Sequence, residues 1–320
     1  MEWIADPMAA GGWLRERLVD DWSMHHFAPR GFEAYARVFH PAEVRSLPDQ
    51  PVPTMGEWMR MPEAEQQRLA ESFVDEQTTW AAAADAFGTT MHPLAQWHRL
   101  LRNPRDGDSR TAPDGREFTG PGQGRMPESL LARIASNLVQ HTRTPDAGFV
   151  AVWEGWGGLV GGLSVGSSRA FLEFSDEPVH ERMLQQSIHD RFNNPFRRPT
   201  WRPGILSDEI SKGARLSLPD RDHVLFSAAP SVFVDPDWIL DAPWRDREGE
   251  THGFAPSAQH PSVVWPADQA WVMTSEIDDD STIIAGSAAL IQQICADATI
   301  EALPIPEGSS LHWDSDDINR

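Results

Sequence analysis

The pattern Gly-x-Ser-x-Gly spans residues 162–166, with Ser164 at its centre. In serine hydrolases this pattern places a reactive hydroxyl on a strained turn between a strand and a helix, where backbone amides stabilise an oxyanion. Here the preceding residues are rich in glycine, and residues 167–174 have the composition of an extended segment or a loop. The sequence therefore favours a flexible glycine loop around Ser164, with a hydrolase nucleophile as the alternative.

Glu154 is the strongest single catalytic candidate in the chain. It directly follows the apolar run 148–153 and is flanked by Trp153 and Trp156. A carboxylate held against indole rings can have a raised pKa and then act as a general acid or base. A carboxylate at the end of a strand can equally point into water. The sequence favours this structural role, and a hydrolytic site near Glu154 or Ser164 remains the alternative.

A second group of candidates combines arginine with aromatic residues. Four arginines occur between residues 190 and 202, a stretch whose only acidic residue is Asp190, and three aromatic residues are interleaved with them. Arginine and tryptophan often anchor surfaces that bind anions or proteins. An ordinary surface loop whose arginines pair with nearby carboxylates is the alternative. We predict a binding surface formed by Trp153, Trp156, Arg197, Arg198 and Trp201.

The histidine and cysteine content argues against a metal centre. None of the nearest pairs among the twelve histidines has the spacing of the His-Glu-x-x-His motif, in which two ligands are about four residues apart. The single cysteine, Cys295, excludes an intramolecular disulfide and a multi-cysteine zinc site. The acidic run 278–280 lacks the spacing and the glycine of a calcium loop, so we expect a solvated hairpin turn there. We therefore expect no metal and no cofactor.

The spacing of apolar residues predicts the elements that would position these candidates. Apolar side chains at i, i+3, i+4 and i+7 predict a helix over residues 80–87, which Gly88 ends. Leu130, Ile134 and Leu138 form the buried stripe of a helix that begins at Pro127. The uninterrupted apolar run 148–153 predicts a strand covered on both faces.

These elements predict an α+β fold with a mixed, mainly antiparallel sheet, packed helices and a helix-rich N-terminal third. The glycines at 120–124 lack the preceding strand and the following lysine of a phosphate-binding loop, which favours a linker. We predict a helix-rich part over 1–102, which need not fold independently, and a linker or mobile loop over 103–125. An α+β core follows over 126–306, and an acidic tail that frays over 307–320.

Charge limits the classes of partner. The chain has 27 basic and 48 acidic residues, a net charge of −21, and it contains 14 tryptophans. Such a surface repels nucleic acid and anionic membranes and attracts a basic protein. No apolar stretch approaches the ~18 residues of a membrane-spanning helix, and the N-terminus lacks the basic start and apolar run of a signal peptide. We therefore expect a soluble, cytoplasmic protein without nucleic-acid or membrane partners.

Several blocks of the sequence resemble a family of uncharacterised proteins from high-GC Gram-positive bacteria. They are residues 32–41, residues 141–146 before Trp153-Glu154-Gly155, residues 265–271 and residues 274–278. The blocks occur in the family's order. The resemblance implies a common fold and a cytoplasmic setting, and it implies no catalytic residues.

The working hypothesis is a non-enzymatic binding protein with an acidic, tryptophan-rich surface. Its partner would be a basic protein or a small ligand. One version is an immunity or antitoxin-like protein, because complementary charge speeds the capture of a basic enzyme. A hydrolytic enzyme is the alternative, and the sequence leaves the oligomeric state open.

Overall fold

The computed structural model describes residues 1–21, 23–103, 107–164 and 199–320. The α-helices within these residues are α1 Pro7–Arg17, α2 Met55–Trp58, α3 Glu63–Ala70, α4 Trp80–Phe87, α5 Trp97–Leu100, α6 Glu128–Leu138, α7 Asp208–Lys212, α8 Arg247–Thr251 and α9 Ala288–Ala296. Short 3₁₀-helices occupy Met24–His26, Val139–His141, Pro230–Val234 and Pro236–Asp241.

The strands divide between one large and two small sheets. They are β1 Glu2–Trp3, β2 Ala34–Phe39, β3 Ala42–Ser46, β4 Val74–Thr78, β5 Ser109–Thr111, β6 Glu117–Thr119, β7 Gly148–Trp153, β8 Gly162–Ser164, β9 Thr200–Arg202, β10 Leu216–Leu218, β11 Arg221–Ser227, β12 Val263–Pro266, β13 Val272–Ser275, β14 Ser281–Gly286 and β15 Ala302–Pro304. The large sheet follows the order β1-β11-β7-β12-β13-β14-β2-β15, and β10 pairs with the first half of β11. Neighbouring strands are antiparallel throughout. The predicted α+β class is therefore confirmed.

The side chains of β7 alternate between two cores, one on each face of the large sheet. Val150 and Val152 belong to the core that the sheet shares with α6 and α9. Ala151, between them, belongs to the opposite core, which Leu14 of α1 covers. Because successive side chains of a strand point to opposite faces, a strand covered on both sides must be apolar at every position. The buried core on the α6 side includes the stripe expected from the sequence, Leu130, Ile134 and Leu138.

The four-stranded sheet, with the order β4-β3-β6-β5, packs against α4 and α5. The chain passes from β2 of the large sheet directly into β3 of the small one through residues 40–41. Phe39 lies 4.9 Å from Trp80, measured between ring centroids, so the end of β2 also joins the core of the small sheet. This core holds α4 and α5 in place, and its largest buried side chains are Phe39, Trp80, Phe87, Trp97, Leu100 and Phe118.

The structure differs from the composition in two regions. The described part of 103–125 contains β5 and β6, where the composition predicts a linker. Each strand has three residues, too few for a visible period; β6 is ordered by pairing with β3, and β5 by pairing with β6. The described residues of 1–102 mix α1–α5 with β1–β4, and β2 lies inside the large sheet.

A helix must be both long and apolar to span a membrane. Among the described residues, no helix is both long enough and apolar enough to span a membrane.

Candidate functional site

Glu154 takes part in an ion pair at the end of β7. Arg215 donates from Nε to Glu154 Oε2 at 2.7 Å, and its other guanidinium nitrogens donate to backbone carbonyls of residues 210–214. The guanidinium therefore ties the carboxylate to the segment after α7. Trp153 and Trp156 do meet edge to face, with ring centroids 5.8 Å apart. This arrangement supports the structural role of Glu154.

The remaining predicted site residues are not gathered into one site by the described structure. Arg197 and Arg198 lie outside the described residues, and so do the last two residues of the Gly-x-Ser-x-Gly pattern. The backbone of Ser164 belongs to β8 and pairs with Thr200 of β9. Trp201 donates from Nε1 to Asp208 at 2.7 Å, and the Lys212 ammonium lies 4.2 Å from the centre of its ring.

The acidic run 278–280 lies in the turn of the β13–β14 hairpin, and the Asp278 side chain is 71% exposed. Asp279 and Asp280 are packed, which corrects the expectation that the whole run is solvated. The buried Arg37 donates from Nη2 to Asp280 Oδ1 at 3.3 Å and from Nε to Ser281 at 2.8 Å. Burial raises the pKa of Asp279 to about 7, and neighbouring carboxylates add to this shift. The amide of Gly124 donates to the Asp279 carbonyl at 2.9 Å, so the glycine-rich segment closes over the turn.

One group of side chains has the donor types of a metal site. Ligand atoms of Asp20, His26 and Asp220 lie within 4.8 Å of one another. His26 Nε2 is 2.8 Å from Asp220 Oδ2, and both carboxylate side chains are mostly exposed. A surface ion pair between His26 and Asp220 accounts for this geometry. The sequence did not reveal the group, because Asp220 lies far along the chain from Asp20 and His26.

A polar cavity of about 440 Å³ lies where α4, α5 and the C-terminal segment meet. We call it the arginine pocket. Three guanidinium groups and one imidazole line it, in a chain whose net charge is −21. Its charged and amide-bearing lining residues are His98, Arg99, Arg102, Asn103, Asn319 and Arg320.

Helix endings position the first wall of the arginine pocket. Gly88 ends α4 in the left-handed conformation, with a φ of 63°, which glycine adopts without strain. Arg102 follows α5, also at positive φ, and donates from Nη2 to the Gly88 carbonyl at 2.7 Å. Trp97 and Leu100 of α5 are buried, so the intervening His98 and Arg99 lie toward the pocket.

The C-terminal segment forms the opposite wall, and a buried carboxylate fixes it. Asp316 is 0% exposed and accepts hydrogen bonds from His92 Nε2 at 2.8 Å and from the Gln96 amide at 3.2 Å. Asn319 donates to Asp316 from its amide and its side chain, and its Oδ1 accepts from the Thr90 amide at 2.8 Å. These contacts correct the expectation that residues 307–320 fray, because an acidic composition does not reveal a buried carboxylate.

The hydrogen bonds around Asp316 also determine its protonation. Burial alone would raise its pKa, but hydrogen bonds from Asn319, His92 and Gln96 outweigh burial and lower it. Asp316 therefore stays ionised at neutral pH, which strengthens each hydrogen bond that it accepts. The Asp316 carboxylate is satisfied by His92, Gln96 and Asn319, and Asp316 is not among the described residues that line the arginine pocket.

The guanidinium groups of the pocket differ in how far they are satisfied. Arg99 Nε is completely covered and has no hydrogen-bond partner among the described residues. Arg320 pairs with Asp317 at the rim. A guanidinium presents a planar fork of donors that matches carboxylate and phosphate oxygens. The guanidinium groups that line the pocket therefore offer donors of the kind that suit the oxygens of an anion.

The sequence offered little to find this pocket. Arg99 and Arg102 are three residues apart at the end of a short helix, which is a common surface pattern. Arg320 comes 218 residues later, so no local motif links it to them. Comparison of the chain with protein-family models, with curated proteins and with solved structures gives no match. The resemblance described above stays a prediction, and function is inferred from geometry.

Proposed function

We propose that this protein binds a small polyanionic ligand, carrying phosphate or carboxylate groups, in the arginine pocket, and that it does so in the cytoplasm. The observation that carries the proposal is that the guanidinium groups of Arg99, Arg102 and Arg320 line one cavity in a chain whose net charge is −21. The volume of about 440 Å³ falls within the range of small-ligand sites. Binding is supported because the guanidinium and amide groups among the described lining residues donate hydrogen bonds that the oxygens of an anion accept.

The electrostatic setting favours a specific ligand over a general attraction for anions. The chain as a whole carries −21, so long-range forces oppose the approach of an anion. Affinity must then come from short-range, charge-assisted hydrogen bonds to Arg99 and Arg102. Each such bond contributes roughly 1.5–3 kcal/mol. A ligand with several oxygen acceptors uses the pocket best, which favours diphosphates over single carboxylates.

Titration calorimetry with inorganic pyrophosphate tests the proposal. We expect saturable binding at one site, and Arg99→Gln or Arg102→Gln should weaken it by about ten- to a hundredfold. Arg116→Gln is the matched control, because Arg116 pairs with Asp114 on an exposed surface away from the pocket. Absence of binding at millimolar pyrophosphate, or an equal loss in the control, would show that the pocket is not the site.

A second candidate function, binding of a basic protein, rests on a different surface. Helices α2 and α3 bury none of their residues. Met55 and Met59 are 75% and 73% exposed, and Val74 on the edge strand β4 is 46% exposed. We call Met55 and Met59, which lie one helical turn apart, the methionine surface. Residues 54–78 contain six carboxylates and two arginines, so this apolar surface has an acidic surround.

Methionine adapts its shape to different partners, and an acidic surround attracts cations. The immunity or antitoxin-like version of the hypothesis would use this surface. A lysine–leucine amphipathic peptide should bind at least tenfold more tightly than a glutamate–leucine peptide of equal length. The double change Met55→Ser and Met59→Ser should remove most of that binding, whereas Met8→Ser, at a methionine 40% exposed on α1, should not. Equal binding by the double variant would exclude the methionine surface.

A further inference from the structure

The wall of the arginine pocket continues into an exposed aromatic residue. Trp313 is 54% exposed, which is unusual for the largest apolar side chain. Its ring centroid lies 6.2 Å from that of His98, and His98 lines the pocket. Trp313 therefore stands at the rim of the pocket, one ring away from its guanidinium groups.

A second apolar side chain lies on the same segment. Ile318 lines the pocket directly and is 60% exposed. Both residues flank Asp316, whose buried hydrogen bonds hold this segment against α4 and α5. The exposed apolar groups are thus presented on an anchored segment. Fixed apolar surface next to an anion site is suited to a ligand with two chemically different ends.

The cavity is also larger than an inorganic anion requires. Its volume of about 440 Å³ is appropriate for an organic ligand, and its lining combines cationic groups with the apolar Ile318. Aromatic side chains bind the flat faces of planar rings by stacking, whatever the substituents of the ring. Guanidinium groups take the phosphate oxygens of the same ligand.

Building on the function proposed above, we propose that the ligand is a nucleoside diphosphate, with its phosphates at Arg99 and Arg102 and its base against Trp313 and Ile318. The two halves of the ligand would then contact different elements, the end of α5 and the C-terminal segment. Stacking on one aromatic residue increases affinity about tenfold or more over the phosphates alone. This increase separates the present inference from simple anion binding.

The test compares ADP with pyrophosphate by titration calorimetry in a buffer without divalent cations. In the unchanged protein we expect ADP to bind at least tenfold more tightly than pyrophosphate. Trp313→Ala should remove this difference while leaving pyrophosphate affinity within about twofold, and Trp313→Phe should restore most of it. Ile318→Ser should reduce the affinity for ADP more than the affinity for pyrophosphate. Trp201→Phe, at a tryptophan that bonds to Asp208 elsewhere, should change neither.

The outcomes distinguish this inference from the function on which it rests. Equal affinities for ADP and pyrophosphate in the unchanged protein would overturn the nucleotide assignment and leave anion binding intact. An ADP preference that persists in Trp313→Ala and in Ile318→Ser would also overturn it, because the base would then lie elsewhere. Failure of both ligands to bind would overturn the pocket as an anion site.

Discussion

Replacement of Asp316 by alanine tests how the arginine pocket is held together. Asp316 accepts hydrogen bonds from His92, from the Gln96 amide, and from the amides of Ile318 and Asn319, and it also accepts from the Asn319 side chain. Alanine at this position would leave several buried donors without an acceptor, and each buried polar group left unsatisfied costs about 1–3 kcal/mol. We take about 3 kcal/mol for the opening of the C-terminal segment. This value corresponds to about a hundredfold larger open population.

Hydrogen exchange at the Thr90 amide measures this opening. That amide donates to Asn319 Oδ1 and not to Asp316, so it reports the position of the segment rather than the deleted side chain. In Asp316→Ala we expect its exchange to accelerate about a hundredfold and pyrophosphate binding to weaken. Asp314→Ala is the matched control, because Asp314 is exposed and pairs only with its neighbour His312 in the described contacts. Unchanged exchange at Thr90 would refute the assigned role of Asp316.

The protein should also lose stability in acid, because burial lowers the pKa of three histidines, to about 3 for one and about 4 for the other two: His40, His223 and His260. Histidines of the unfolded chain take up protons near pH 6.5, so the contribution of these three side chains to the free energy of unfolding is present above pH 6.5 and is lost towards pH 4. Asp279, with its pKa raised to about 7, changes the free energy of unfolding in the opposite direction, but it takes up one proton where the histidines take up three. The free energy of unfolding, measured with urea, should be lower at pH 5 than at pH 7 by more than about 2 kcal/mol. Equal values would contradict the burial of these histidines in their neutral form. Gly124→Ala should destabilise by about 2 kcal/mol or more, because Gly124 has a φ of 63° and its missing Cβ would meet the Ile277 carbonyl. Gly122→Ala should change thermal stability little, because an added Cβ there would meet only the Arg125 side chain, at an ordinary contact distance of 3.7 Å.

Local patterns predicted the elements whose partners are numerous and apolar. The stripe of α6 and the continuous apolar run of β7 are visible because burial on one or two faces imposes a period on the sequence. The end of α4 at Gly88 was visible for a similar reason, since a left-handed cap favours glycine. These features depend on residues within a few positions of each other.

The features that were missed depend on distant partners. Strand β6 pairs with β3, more than sixty residues earlier, and β5 pairs with β6. Asp316 is held by His92 and Gln96, which lie between α4 and α5 and more than two hundred residues earlier. A single polar side chain with remote donors leaves no periodic trace, so the composition of 307–320 predicted a fraying tail. The arginine pocket was missed for the same reason, because its two walls come from segments more than two hundred residues apart.

A crystal structure of the protein grown with pyrophosphate tests the central claim most directly. We predict density for the diphosphate between α5 and the C-terminal segment, with oxygens within hydrogen-bond distance of the Arg99 and Arg102 guanidinium groups. An empty arginine pocket at saturating pyrophosphate, or a diphosphate bound instead to the arginines of 190–202, would contradict the account.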